Sequence, residues 1–250
     1  MTDLEREIAD RFVRDTADHT LTVLHDDGLY RHLRCAKPDS SFYWFEIITW
    51  PGSLVFRGDM DCAPVFSRVA DMFAFFRSDS GRISPGYWAE KLPDAGRSTQ
   101  KYSEDMLREH IEGCLKEYAK EYPQRKSDYV TAKHQFDTAD WADRWPMKSS
   151  GPREPYEPKT PAEIRKLVEE YDGDGMLSHS DGARDLLRDL EKLDVVSDTW
   201  EWDLTDWDWP FLWACHAIVW AIRQYDAARQ ANGTTTSNGV EIVSLPGVTR

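Results

Sequence analysis

The chain lacks a run of the ~18–20 apolar residues that a bilayer-spanning helix needs, so no membrane segment is expected. It lacks a close cysteine pair: Cys35, Cys62, Cys114 and Cys215 are scattered, and no two stand at Cys-x-x-Cys spacing. That distribution argues against a zinc site and against a disulfide framework, and predicts reduced, mostly buried thiols of a cytoplasmic protein. There is no Gly-x-Ser-x-Gly elbow, no His-Glu-x-x-His, no Gly-x-x-x-x-Gly-Lys loop and no Gly-x-Gly-x-x-Gly. The signatures of the common hydrolases, metalloproteases and nucleotide folds are therefore absent. No internal repeat occurs. The opening residues Met1–Glu5 are acidic, whereas a secretory leader starts basic and then runs apolar, so no leader is expected there.

Positive charge is in short supply. The 250 residues include 45 acidic and 31 basic side chains, for a net charge of −14 and an isoelectric point near 4.9. Nucleic acids and anionic membranes are bound through basic faces, so direct binding to either is not expected. A basic protein partner is left open. The deficit is uneven: residues 160–230 hold 16 acidic and 7 basic residues. An acidic stretch of this kind is either a solvated surface or an imitation of a phosphate row, able to occupy a basic groove.

What the chain has in abundance is aromatic surface, with 11 Trp, 10 Tyr and 10 Phe. Such side chains belong in a core or an interface. Leu4, Ile8, Phe12 and Val13 recur at helical spacing behind Thr2 and Glu5, a capping box, predicting a helix over about 3–18. Four strands follow, over 21–25, 29–36, 42–50 and 54–59. They are separated by turn signals at Asp27-Gly28 and Pro51-Gly52, the second of type II, so the strands form an antiparallel meander. Ser67 is the expected cap of a helix carrying Val69, Met72, Phe73 and Phe76. Further helices are predicted at 84–92, at 104–121 behind Ser103, around Trp141 and Trp145, at 161–171 behind Thr160-Pro161, at 181–193, and at 210–229 from Pro210. Val240–Val243 is a candidate terminal strand. The fold class is α+β: an N-terminal antiparallel sheet of about four strands and a mainly helical C-terminal half, sharing one core. Residues 1–146 form the sheet-containing part, 147–160 a proline-rich linker, 161–231 an acidic, Trp-rich helical part and 232–250 a flexible tail.

Four constellations are candidates for chemistry. Asp172-Gly173-Asp174-Gly175 resembles the start of a calcium loop. Met176, Leu177 and Ala183 fall where an oxygen ligand, Gly and Glu are required, so it reads as an acidic turn. Asp59 and Asp61, two apart at a strand end, could hold a divalent ion with help from His32 and Glu46, or could simply cap a turn. His216 neighbours Cys215 on a helix, where adjacent positions point about 100° apart, so it reads as a core histidine with a hydrogen-bond partner. The segment 198–213 interleaves Trp200, Trp202, Trp207 and Trp209 with Asp203, Asp206 and Asp208. It is either a structural belt or an aromatic cage for a cation or a stacked base.

The blocks YWFEIITWPGSLVFRGDM (43–60), FSRVADMFAFFR (66–77) and FLWACHAIVWAIRQYD (211–226), together with YRHLRCAKP and GYWAEKL, resemble a family of bacteriophage- and prophage-encoded hypothetical proteins. The resemblance implies an accessory protein acting in the cytoplasm of a bacterial host, with no catalytic residue to transfer. The leading expectation is stoichiometric binding to a host protein, such as a defence or nucleic-acid-processing complex, through the acidic surface and the 198–213 segment, without a cofactor. A small-ligand or nucleotide-binding protein and a metal-dependent hydrolase built on Asp59 and Asp61 are the alternatives.

Overall fold

A computed structural model describes residues 3–94, 96–139 and 153–233. The chain divides into two compact units. A sheet unit comprises Met1–Gln100 and Trp207–Arg250, and a helical unit comprises Lys101–Asp206. The α+β class holds, with five strands in the sheet.

In the sheet unit, helix α1 (Asp3–Asp15) precedes strands β1 (Thr20–Asp27), β2 (Tyr30–Ala36), β3 (Phe45–Trp50), β4 (Ser53–Gly58) and β5 (Val65–Ser67). Every neighbouring pair is antiparallel, in the order β1-β2-β3-β4-β5. The β3–β4 turn is Pro51-Gly52 with Gly52 at φ +88°, the geometry a type II turn demands of its third residue. Ser67 is a correction to the sequence reading. It ends β5 instead of capping a helix, because Phe66 is wholly buried opposite Leu54. The cap is Asp71, whose carboxylate accepts from the Phe73 N–H at 3.0 Å at the start of α2 (Met72–Phe76). Helix α3 (Pro85–Ala89) follows, as Pro85 predicts.

Alternation along the strands sends Leu33, Cys35, Phe45, Ile47, Leu54, Phe56 and Phe66 to one buried face. That face is covered largely by a helix from the far end of the chain, Trp209–Gly233, which packs beside α1 and α2 and against β1. Its Trp213 is the hub of the core. The ring lies 5.1 Å from Phe12 and 5.6 Å from Phe45, both edge-on, and its Nε1–H donates to Asp15 at 3.1 Å.

The helical unit contains α4 (Glu104–Thr138), α5 (Pro161–Gly173) and α6 (Ser180–Lys192); the C-terminal helix Trp209–Gly233 is therefore α7. Short strands β6 (Gln100–Tyr102) and β7 (Thr205–Trp207) pair where the chain leaves and re-enters the sheet unit. Ser103 caps α4, and Thr160 with Glu163 forms a complete capping box on α5, both as predicted. Leu107, Ile111, Leu115 and Tyr118 bury one stripe of α4 against Ile164, Leu177, Leu186, Leu187 and Leu190. Gly182 lets α6 pass the 176–178 turn, since a Cβ there would collide with the carbonyl of Met176.

Three expectations on organisation are corrected. The halves do not share one core, because the buried side chains form two separate clusters. The boundary does not follow 147–160, because α7 returns to the sheet and leaves 101–206 as an insertion. Helix α4 does not stop near residue 121 but continues through Pro123 to Thr138. Within 147–160, residues 153–160 have no regular structure; the rest of that segment, the helix around Trp141 and Trp145, Thr2, the tail from 234 and the 240–243 strand lie outside the described residues.

Candidate functional site

The aromatic–acidic segment is divided between the two units. Trp200, Trp202, Asp203 and Asp206 belong to the helical unit; Trp207, Asp208 and Trp209 belong to the sheet unit. Trp207 stacks on Phe211 at 5.8 Å, and Trp209 lies beneath the Arg11 guanidinium at 4.0 Å. Asp208 is buried at the start of α7, where its carbonyl accepts from the Phe211 and Leu212 N–H groups at 3.0 and 3.2 Å. Asp203 turns back on the chain, accepting from the Thr205 hydroxyl and N–H, which lowers its pKa. Trp200 is 80% exposed.

Of the metal candidates Asp61 is exposed, and the residues expected to assist are otherwise engaged. Glu46 accepts from Arg34 at 2.7 Å, Arg57 at 2.8 Å and His32 at 3.1 Å, so its oxygens are already occupied. Asp59 accepts from the N–H of Tyr43, sixteen residues earlier, at 2.9 Å and so ties the start of β3 to the end of β4. Among the described residues no three His, Cys, Asp or Glu side chains are grouped to hold a metal. His216 stacks on Phe12 at 5.8 Å, but its Nε2 is buried without the expected partner. None of the four cysteines forms a disulfide.

Trp200, Trp202 and Asp203 line a depression of about 570 Å³ with Arg184, Arg188 and Glu191, and Asp208 lines another of about 440 Å³ in the sheet unit. Trp202 also borders a larger groove, together with side chains the sequence reading did not single out. A groove of about 700 Å³ runs along α4 and is closed on its other side by 195–197 and Trp202. Its α4 wall is built from residues three and four apart, including Glu109, His110, Gly113, Cys114, Glu117 and Glu121, which is one stripe of a helix. Nothing lies within 4 Å of where a Gly113 Cβ would stand, so this glycine keeps the groove open. The Trp202 indole packs on His110 at 5.2 Å. His110 Nδ1 sits 2.8 Å from the Met106 carbonyl; a carbonyl only accepts, so Nδ1 carries a proton and is committed to the helix backbone. Burial raises the Cys114 pKa, which keeps the thiol protonated. His110 and Cys114, though one turn apart, are therefore not an activated nucleophile and base.

The rim is acidic. Glu109 has no hydrogen-bond or ion-pair partner among the described residues, Glu117 pairs only with exposed Lys120 on the same helix, and Glu121 pairs with Arg125. The groove can thus accept hydrogen bonds and hold positive charge above an indole and apolar side chains. The sequence signal for it was present in the four-residue spacing of Glu109, Gly113, Glu117 and Glu121, but that pattern also describes any solvated helix face. Comparison with known proteins finds no family model, no curated protein and no solved structure that matches the chain.

Proposed function

We propose that the protein is a stoichiometric binder of another protein, holding a basic segment of its partner in the groove along α4. The observation that carries this is the acidic rim of Glu109, Glu117 and Glu121 over Trp202 and His110, within a unit that concentrates the negative charge. Lys101–Asp206 holds 26 acidic and 16 basic residues, a net −10 of the molecule's −14. Carboxylates at the edge and aromatic surface at the floor suit lysine or arginine side chains carried on an apolar backbone segment. The phage-type resemblance and the negative surface together favour a basic, nucleic-acid-handling host protein as that partner. The protonated Cys114 and the occupied Glu46 oxygens support binding over turnover.

The test uses the whole protein and a fluorescein-labelled 14-residue peptide of alternating Lys and Leu, with a Glu/Leu peptide as control, read by fluorescence anisotropy. Gly113→Leu puts a branched side chain into the groove from a position where a Cβ has open space, and it raises helix propensity by about 1 kcal/mol. The expected result is salt-sensitive 1:1 binding of the basic peptide alone, weakened tenfold or more in Gly113→Leu, in Trp202→Ala and in Glu109→Gln/Glu117→Gln. Equal affinity in Gly113→Leu, with its thermal midpoint unchanged or raised, refutes the groove as the site.

A further inference from the structure

A second concavity, in the sheet unit, has the opposite character. It measures about 740 Å³ and is lined by four arginines: Arg31 on β2, Arg77 just after α2, and Arg223 and Arg229 on α7. Only two carboxylates, Asp79 and Asp226, line it with them. In a molecule with 14 more acids than bases this local excess of guanidinium is the reverse of the average.

Three of the four arginines are held in place from behind or beside. Arg77 grips Asp226 through a two-point fork, Nε at 2.7 Å and Nη2 at 2.9 Å. Arg31 donates from Nη1 to Asp71 at 2.7 Å, and its guanidinium lies 4.5 Å from the Phe73 ring centre. Its side chain is only 10% exposed and its Nε is buried without a partner. Arg229 donates from Nη1 to the Tyr225 hydroxyl at 2.8 Å and to Asp26 at 3.1 Å. Each guanidinium has five N–H donors, so these anchors leave several on every arginine unused. Arg223 is exposed and has no hydrogen-bond or ion-pair partner among the described residues. It reaches the loop after α2, where a Gly81 side chain would meet its Nη1 at 2.8 Å.

Anchored, planar forks around a cavity are the arrangement that recognises tetrahedral oxyanions, and the volume falls in the range of small-molecule sites. We propose that this cavity binds a phosphorylated small molecule, with Arg223 and Arg229 as the residues that engage the phosphate and Arg77 held ready by Asp226. Asp79 opposes the ligand's charge and limits its affinity.

The experiment is calorimetric titration of the full protein with inorganic phosphate, inorganic pyrophosphate and ATP, each as the sodium salt against sodium chloride of equal ionic strength. A 12-residue single-stranded DNA serves as a further ligand. Arg223→Gln should lower pyrophosphate or ATP affinity tenfold or more with an unchanged thermal midpoint. Asp79→Asn should raise it severalfold, and the exposed control Arg97→Gln should leave it alone. Absence of heat from all three phosphates, or equal affinities in the wild type and Arg223→Gln, overturns the proposal. Binding of DNA but of none of the small phosphates overturns it too.

Discussion

At the scale of single residues, two ionisable groups shape how stability depends on pH. Glu46 sits on the face of the sheet opposite Phe45 and Ile47, with a side chain only 4% exposed. Burial alone would raise its pKa, but hydrogen bonds from Arg57, His32 and Arg34 outweigh burial and bring it from 4.5 to about 2. A carboxyl depressed in the fold stabilises it above the unfolded value of 4.5 and loses that contribution as pH falls toward about 2. His216 works through the opposite charge. Burial lowers its pKa below 6.5, so the folded state holds the neutral ring while the unfolded chain takes up a proton. Its contribution is full above pH 6.5 and declines below it. Chemical denaturation across pH should therefore show two descents. Glu46→Gln should cost about 1–2 kcal/mol at neutral pH, because it replaces charge-assisted hydrogen bonds from Arg34 and Arg57 with weaker neutral ones, and should flatten the descent below pH 4.5. His216→Leu should flatten the one just below pH 6.5. If both variants keep the wild-type pH profile, other groups set it.

At the scale of elements, α4 is the informative case. The sequence reading ends this helix near residue 121, just short of Pro123, a residue that lacks an N–H donor and crowds the preceding turn. The observed helix passes through it, supported by side chains on both sides. Glu121 pairs with Arg125 at 3.0 Å, Gln124 donates to Asp128 at 2.8 Å and Lys133 to Asp137 at 2.8 Å. Arg125 reaches the Asp194 carbonyl at 3.0 Å, and Lys126 and Lys133 pair with Glu157 and Glu154 on the 153–160 segment. Proline in a helix interior costs up to about 3 kcal/mol relative to alanine. Pro123→Ala should accordingly raise the stability of the helical unit by about 1–3 kcal/mol, read as a higher denaturant midpoint by circular dichroism. A lowered midpoint would mean that the groove-bearing helix depends on its proline. Boundaries with local chemistry were legible: Ser103, Thr160 with Glu163, Pro85 and the Pro51-Gly52 turn all act where the sequence places them. Ser67 was misread because a β5 of three residues carries too little alternation to announce itself.

At the scale of the whole molecule, the organising fact is two cores in one chain, one closed by a helix that returns from the C-terminal end. The helical unit is a continuous segment with its own buried cluster, whereas the sheet unit needs Trp213, Ile218 and Ile222 of α7 to complete its core. A fragment spanning 101–206 should therefore fold alone, giving a helical spectrum and a cooperative melt. A chain ending at 206 should retain that transition while losing the one belonging to the sheet, since each large buried side chain removed costs several kcal/mol, about 3–5 for a tryptophan. A disordered 101–206 fragment would contradict the independence of the two cores.

The sequence by itself determined the α+β class, the antiparallel meander, most helix caps, the acidity and the lack of a familiar catalytic motif. Each of these is encoded by neighbours within a turn or a strand, or by composition. Only the tertiary structure decided that the tryptophans of 200–209 part company between two units, that Glu46 is committed to arginines instead of a metal, and that Arg31, Arg77, Arg223 and Arg229 meet around one cavity. Periodicity states which face of an element is apolar but not which distant face will cover it. That choice is made by burial summed over the whole chain.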